Sequence, residues 1–479
     1  MLNRIREEYV RNASLIFLIS LWFINPSNKF IVLFFILFLG LMIWIIRKPD
    51  ISLVIVHFVS SFFLVGKVYY LKLMDLGNFP EIMPYYPLGL TTRVQISLSD
   101  VIFSLLVVYA IIAFRRTRVD WRKLEVIDYV LIAFVSYGVL SDILVSSNLL
   151  LSLLLKKGLF EYLFIYFFVK FMIKDQSLLY KLFMSLLISL SLFEGFVIIQ
   201  QFIYSSPIGN NLEATFSIES FGPGADELYF FFRPIGTFIH ANLLGMFLAT
   251  VMPLLMYLVT KSKKYFLKVT LFLVAVSLVL TLSRSGWIAA VLSFLLILFY
   301  LEYSKKREFK ISISAKKLVL YGMLIVPLAL YSFPRVVKIS NIFQPGSGLD
   351  VRIRQADEVL GLISQSPIFG TGAGMSVVKA LEVYPKGVFS GFPSEIHNFF
   401  MLQAVENGIP YSILFFTFLF LSFKKLFGYK KDLTVYSAVS IFALTVVALF
   451  QPFFFSQFLL LITAFNYDKI SEDFYEDKR

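Results

Sequence analysis

The 479-residue chain is 58% hydrophobic and only 16% charged, with 55 Phe, 25 Tyr and a mean hydropathy of +0.79. No water-soluble globular domain can hide that much apolar surface, so the composition excludes a soluble enzyme and points to an integral membrane protein of many helices. The absence of Cys excludes disulfides, thiolate metal sites and cysteine nucleophiles, and three His (His57, His240, His397) leave no multi-histidine metal site; the net charge of +13 need not mean nucleic acid.

In chain order, apolar blocks predict spans near Ser14–Ile24, Phe30–Ile46, Ile51–Val68, Val101–Phe114, Val126–Leu140, Leu159–Ile173 and Leu178–Ile203. A second series follows near Leu243–Val259, Val269–Leu282, Trp287–Tyr303, Leu318–Tyr331, Phe399–Phe423, Leu433–Phe450 and Phe453–Phe465. The expected fold is all-α and polytopic, with about 14 transmembrane helices, or about 12 if the short first and last pairs form hairpins. The apolar N-terminus runs on too long for a cleaved signal peptide ahead of a soluble protein.

Basic residues test this threading independently, because Lys and Arg are retained in short cytoplasmic loops. Alternate connections carry Arg4, Arg6 and Arg11; Arg47 and Lys48; the run RRTRVDWRK; Lys170, Lys174 and Lys181; KSKK; SKKREFK; FKKLFGYKK; and the C-terminal tail. These hold most of the 44 Lys and Arg, which makes them topology determinants and puts both termini in the cytoplasm. The resulting organisation is N-terminal transmembrane helices over residues 1–203, transmembrane helices with outer Arg clusters over 204–331, a large outer loop over 332–396, C-terminal transmembrane helices over 397–466 and a cytoplasmic tail over 467–479.

Two outer segments are long. Tyr204–Phe232 is acidic and carries no Lys or Arg before Arg233, and Ser332–Ile396 is the longest polar stretch in the protein. Within the latter, VRIRQADEVLGLISQS has apolar residues at helical spacing and stops at Pro367, which predicts an amphipathic helix lying on the membrane surface.

Three short clusters place titratable groups beside Gly, Pro or Asn at the outer mouths of these spans: FRPIGTFIHANLLG with Arg233, His240 and Asn242; TLSRSGW with Arg284; and HNFFMLQAVENG with His397, Asn398 and Glu406. Arginine suits phosphate, since its planar fork makes bidentate charge-assisted hydrogen bonds and never deprotonates. Histidine is the natural general base at neutral pH. Singly, each Arg reads as well as a headgroup anchor and each His as a satisfied structural residue.

In this order the clusters resemble the O-antigen ligase and Wzy-type polymerase superfamily of bacterial surface-polysaccharide assembly. The likeness runs from Arg233 to Gly408: R-P-x-G-T-F and Asn242, S-R-S-G over 283–286, Arg352 or Arg354 ahead of S-P-I-F-G-T-G-A-G, then H-N-F-F and E-N-G. The resemblance implies a GT-C-like fold in the bacterial inner membrane, with its active site facing the periplasm or exterior. It implies metal-independent, inverting glycosyl transfer without a cofactor, from an undecaprenyl-diphosphate-linked glycan to a glycan or lipid-core acceptor. In that picture His397 and Arg284 are catalytic, and Arg233, Arg352, Arg354, Asn398, His240 and Glu406 bind substrate. Membrane lipids and a chain-length regulator are the implied partners, and no nucleic acid is. The family often carries a Trp soon after the loop Arg, where this chain has Ala356.

A transporter, such as a lipid-linked oligosaccharide flippase, is the alternative. Glu194 is the acidic residue placed to sit mid-membrane, where carriers keep functional charges.

Overall fold

The computed structural model describes residues 2–24, 28–61, 66–74, 90–115, 121–205, 234–303 (except Ile239 and Lys263), 348–429 and 431–470 (except Phe453 and Phe455). Arg233, the segment 206–232 and the expected span Leu318–Tyr331 lie outside the described residues.

The chain is built from α1 (Leu2–Ile24), α2 (Asn28–Ile46), α3 (Pro49–Ser60), β1 (Gly66–Met74), β2 (Leu90–Ser97), α4 (Leu98–Phe114), α5 (Val126–Val145), α6 (Leu149–Leu155), α7 (Lys157–Phe167) and α8 (Gln176–Tyr204). Then come α9 (Ala241–Lys261), α10 (Tyr265–Leu280), α11 (Arg284–Tyr303), α12 (Gly348–Gln365), α13 (Ser376–Val383), α14 (Val388–Gly391), α15 (Phe399–Asn407), α16 (Ile409–Gly428), α17 (Asp432–Ala448) and α18 (Ser456–Ala464). Among the described residues five helices, α5, α8, α9, α11 and α16, are long and apolar enough to cross a membrane, and shorter apolar helices pack among them. The centre of the bundle is α8 and α9, which are mostly buried, whereas α11 and α16 leave most of their apolar surface outward.

Local chemistry sets the helix starts. Ser97 and Asp100 form a capping box at α4, as do Glu125 and Asp128 at α5, and the Asp175 carboxylate accepts the Leu178 N–H at α8. Pro49 stands in the first turn of α3, where its missing N–H costs nothing.

The basic clusters among the described residues gather at one end of the bundle, bound to one another's helices. Lys48 pairs with Asp175 at 2.6 Å, Lys170 with Asp128 at 2.6 Å, Lys261 with Asp432 at 3.1 Å, Lys264 with Glu8 at 3.4 Å and Lys425 with Glu125 at 3.5 Å. Such pairs each contribute little to stability, but their geometry brings the alternate connections to a common end, as the charge pattern implies.

Three features differ from expectation. An antiparallel hairpin, with Gly66 opposite Ser97 and Tyr70 opposite Arg93, stands between α3 and α4 at the other end of the bundle. The apolar block Ile51–Val68 therefore stops being helix after Ser60. The expected span Phe399–Phe423 is two helices, broken at Gly408. Finally, α12 does not lie on the membrane by its apolar face. Val359 and Leu362 are buried in a small separate core with Val377, Leu381, Phe389, Ile396, Leu402 and Val405. Fully burying such a side chain is worth about 1.5–3 kcal/mol, so the outer segment folds on itself rather than on lipid.

Candidate active site

The SRSG turn joins α10 to α11. Leu282 has φ of 52°, unusual for a branched residue, and Ser283 caps α11 by accepting the Gly286 N–H at 3.4 Å and, through its carbonyl, the Trp287 N–H at 3.0 Å. The turn sits directly on α9. A Cβ added to Gly245 would lie 2.7 Å from the Ser283 Cβ, and one on Gly286 would lie 3.2 Å from the Gly245 carbonyl oxygen. Two glycines thus let the FIHANLLG helix and the SRSG turn meet, fixing Arg284 at the first position of α11.

The PIGT stretch is held by α8. The Gln201 carboxamide accepts the Ile235 and Gly236 N–H groups at 3.1 and 3.0 Å and donates to the Gly236 carbonyl at 2.9 Å. One turn-pair earlier, the buried Glu194 carboxylate accepts the Thr237 N–H at 3.1 Å and the Thr237 hydroxyl. Glu194 is thus a clamp on the loop, which accounts for a buried carboxylate without transport. His240 follows and caps α9, its Nδ1 accepting the Asn242 N–H at 3.1 Å.

The outer segment delivers the remaining groups. Arg352, on α12, is partly buried and forms no ion pair among the described residues; burial first, and then the charge of Arg284, hold it below its ordinary pKa. Arg354 points away, exposed, with its guanidinium 2.8 Å from Asp350. This separates the two arginines that spacing left open: Arg352 joins the cluster, and Arg354 makes a surface pair.

His397 completes the group. Burial, and then the nearby Arg352 charge, lower its pKa to about 4, against a hydrogen bond to the Glu395 backbone. Its Nδ1 is buried without a hydrogen-bond partner among the described residues. Asn398 next to it caps α15, its Oδ1 accepting the Met401 N–H at 3.0 Å. Glu406 belongs to the far end of α15. It is buried, accepts the Ser376 hydroxyl at 2.8 Å, and is raised to about 8 by burial and then by the Glu395 charge. The structure therefore brings Arg284, Arg352 and His397 together, gives Asn398 and His240 capping bonds, and sets Glu406 apart from them.

The two glycine-rich motifs are mates. The Thr371 and Gly372 N–H groups donate to the Val405 and Glu406 carbonyls at 2.9 and 2.8 Å, and the Ile409 N–H donates to the Pro367 carbonyl at 2.8 Å. Gly408 has φ of 89°, and a Cβ there would fall 1.7 Å from the Ile368 carbonyl oxygen. The G-T-G-A-G loop thereby satisfies carbonyls that the end of α15 would otherwise leave open.

Sequence patterns did not single out Asp142 and Lys156, which meet under this loop at 2.6 Å. The signal was there: Asp142 stands well past the capping Asp128 in the apolar helix Val126–Val145, where a carboxylate requires a partner. Among the described residues no group of three or more His, Asp and Glu is placed to hold a metal ion.

Two guanidiniums and an imidazole at one end of the helical bundle form an arrangement that can hold an anion. Residues 269–416, which carry Arg284, Arg352 and His397, match the O-antigen ligase family model, Wzy_C. The match bears out the resemblance to the O-antigen ligase and polymerase superfamily and supports activity of that type in surface-polysaccharide assembly. No curated protein matches the chain.

Proposed function

We propose that the chain catalyses metal-independent, inverting glycosyl transfer from an undecaprenyl-diphosphate-linked glycan to a sugar hydroxyl on a glycan or lipid-core acceptor. The site faces the periplasm or exterior of a bacterial inner membrane, with about 14 spans and cytoplasmic termini. The observation that carries this is the pairing of Arg352 with Arg284: two like charges, one of them partly buried without a carboxylate, beside a histidine. Arg352 in that setting is costly without an anion and is relieved by a dianion.

The acceptor oxygen attacks the anomeric carbon, the bond from that carbon to the diphosphate oxygen breaks, and the diphosphate leaves with the electron pair. Arg284 and Arg352, with Arg233 as the family resemblance implies, stabilise the developing negative charge. His397 takes the hydroxyl proton. In the free protein its imidazole is neutral and so able to accept. A bound diphosphate offsets Arg352, which lowers the imidazole's affinity for protons, and makes His397 a stronger base when the donor is in place.

Purified protein supplied with lipid-linked donor and acceptor tests this. Wild-type protein should lengthen or transfer the glycan and release undecaprenyl diphosphate, and Arg352→Met should bind donor poorly. Unimpaired donor binding by both Arg352→Met and Arg284→Ala would overturn the assignment of the arginines to the diphosphate.

A further inference from the structure

Helices α5 and α6 precede the segment that matches the family model, yet they grip its glycine-rich loop. The Asp142 carboxylate accepts the Ala373 N–H at 2.9 Å through Oδ1 and meets Lys156 Nζ at 2.6 Å through Oδ2. The Ser152 hydroxyl donates to the Ala373 carbonyl at 2.8 Å, the Tyr137 hydroxyl to the Ile368 carbonyl at 2.5 Å, and the Ser141 hydroxyl to the Phe369 carbonyl. Lys156 Nζ also donates to the Gly138 carbonyl. Asp142 is fully buried and Lys156 nearly so.

The loop held in this way is the only covalent link between α12, which carries Arg352, and the α13–α15 segment, which carries His397. Its other side is bonded to the C-terminal end of α15. Any play in the loop therefore displaces Arg352 and His397 relative to Arg284, which is anchored separately through Gly245 and Gly286 on α9 and α11.

We propose that the buried Asp142–Lys156 pair is a positioning device for the arginine–histidine cluster, by which the N-terminal helices set the separation between the outer segment's groups and Arg284. Replacing a buried ion pair by apolar residues of similar size often preserves folding, so a pair in this place is better explained by a positional role than by stability. The role matters to activity only under the glycosyl transfer proposed above, and it is accordingly tested by a distance as well as by turnover. A displacement of about 1 Å between reacting groups is enough for a roughly hundredfold loss of rate.

The chain has no Cys, so spin labels can be placed at two exposed positions, Leu150→Cys on α6 and Leu360→Cys on α12, without background. In otherwise wild-type protein the label distance should be narrow. Asp142→Asn and the double variant Asp142→Leu/Lys156→Met should broaden it, lower kcat about a hundredfold and raise the donor KM, because Arg352 shifts from Arg284; Lys156→Arg, which keeps the charge pair, should leave all three near the wild-type values. An unchanged distance in Asp142→Asn overturns the proposal, and so does wild-type kcat with a broadened distance, or wild-type kcat in the double variant. If the distance broadens as expected but Arg284 and His397 variants transfer glycan normally, the glycosyl-transfer assignment fails while the latch stands.

Discussion

Arg352 on α12 lies within reach of the Arg284 charge at the head of α11: burial first, and then that charge, depress its hold on its proton. Like charges brought together from separate elements are expensive unless an anion joins them. This juxtaposition organises the expectations that follow.

Arg284→Lys should be nearly as damaging as Arg284→Ala, because an ammonium is a point charge and cannot reproduce a bidentate fork on a diphosphate. Glycan products from membranes with matched expression decide it. Wild-type output from the Lys variant would reduce Arg284 to a headgroup anchor.

Arg352 and Arg354 should separate sharply. Arg354→Ala loses an exposed pair with Asp350 and should change stability by no more than about 0.5 kcal/mol, with transfer intact. Arg352→Met should weaken donor binding and raise the pKa of His397 by removing a neighbouring positive charge. Donor titration and imidazole NMR on both variants measure this, and a lost donor site in Arg354→Ala instead would reassign the loop arginine.

His397→Ala should lower turnover by roughly 10² to 10⁴ fold with donor binding nearly unchanged. The pH dependence has a definite sign. Burial and the Arg352 charge lower the free protein's His397 to about 4, so kcat/KM should hold down to that region, while the diphosphate complex should show its acidic limb in kcat at higher pH. For folding, the folded value of about 4 lies below the ordinary 6.5; the unfolded chain takes the proton first, and stability falls as pH drops through that interval. A kcat limb no higher than that of kcat/KM would contradict activation by the donor.

Transfer should persist in excess chelator, since the proposed charge stabilisation comes from guanidinium groups. Assay of purified protein with and without magnesium or manganese checks it. Loss in chelator with recovery on metal addition would replace the arginine account.

His240→Asn should retain activity because Asn can accept the same Asn242 N–H, whereas His240→Ala should cost about 1 kcal/mol of stability. Thermal melts and transfer rates read side by side distinguish this cap from a substrate contact, which Asn would not replace.

Hydropathy made the helical body legible because each span is an apolar block bounded by charge, and α8, α9 and α11 fall within a few residues of their expected ends. The arginine and histidine of the site could be chosen by chemical type and outer placement. What could not be read was relational. The spacing of Arg352 and Arg354 on one helix does not say which is pulled towards Arg284; the core formed by Val359 and Leu362 decides that. Asn398 and Glu406 look alike as polar residues near His397, but one caps the first turn of α15 and the other is enclosed beneath the glycine loop. The hairpin between α3 and α4 was obscured because its first strand continues an apolar block already read as helix.

The break at Gly408 also bears on how high the chemistry can stand above the lipid. In α16 the 15 residues ahead of Lys424 and Lys425 rise about 22 Å, less than the roughly 30 Å hydrocarbon core, so the end of α15 stands close to the hydrocarbon edge. The nine residues of α15 add at most about 14 Å, which limits how far His397 can stand from the hydrocarbon edge. Under the transfer proposed above, the donor's polyprenyl chain can therefore stay dissolved in the membrane while its diphosphate is engaged near the headgroup level, and only the polar glycan has to project into water.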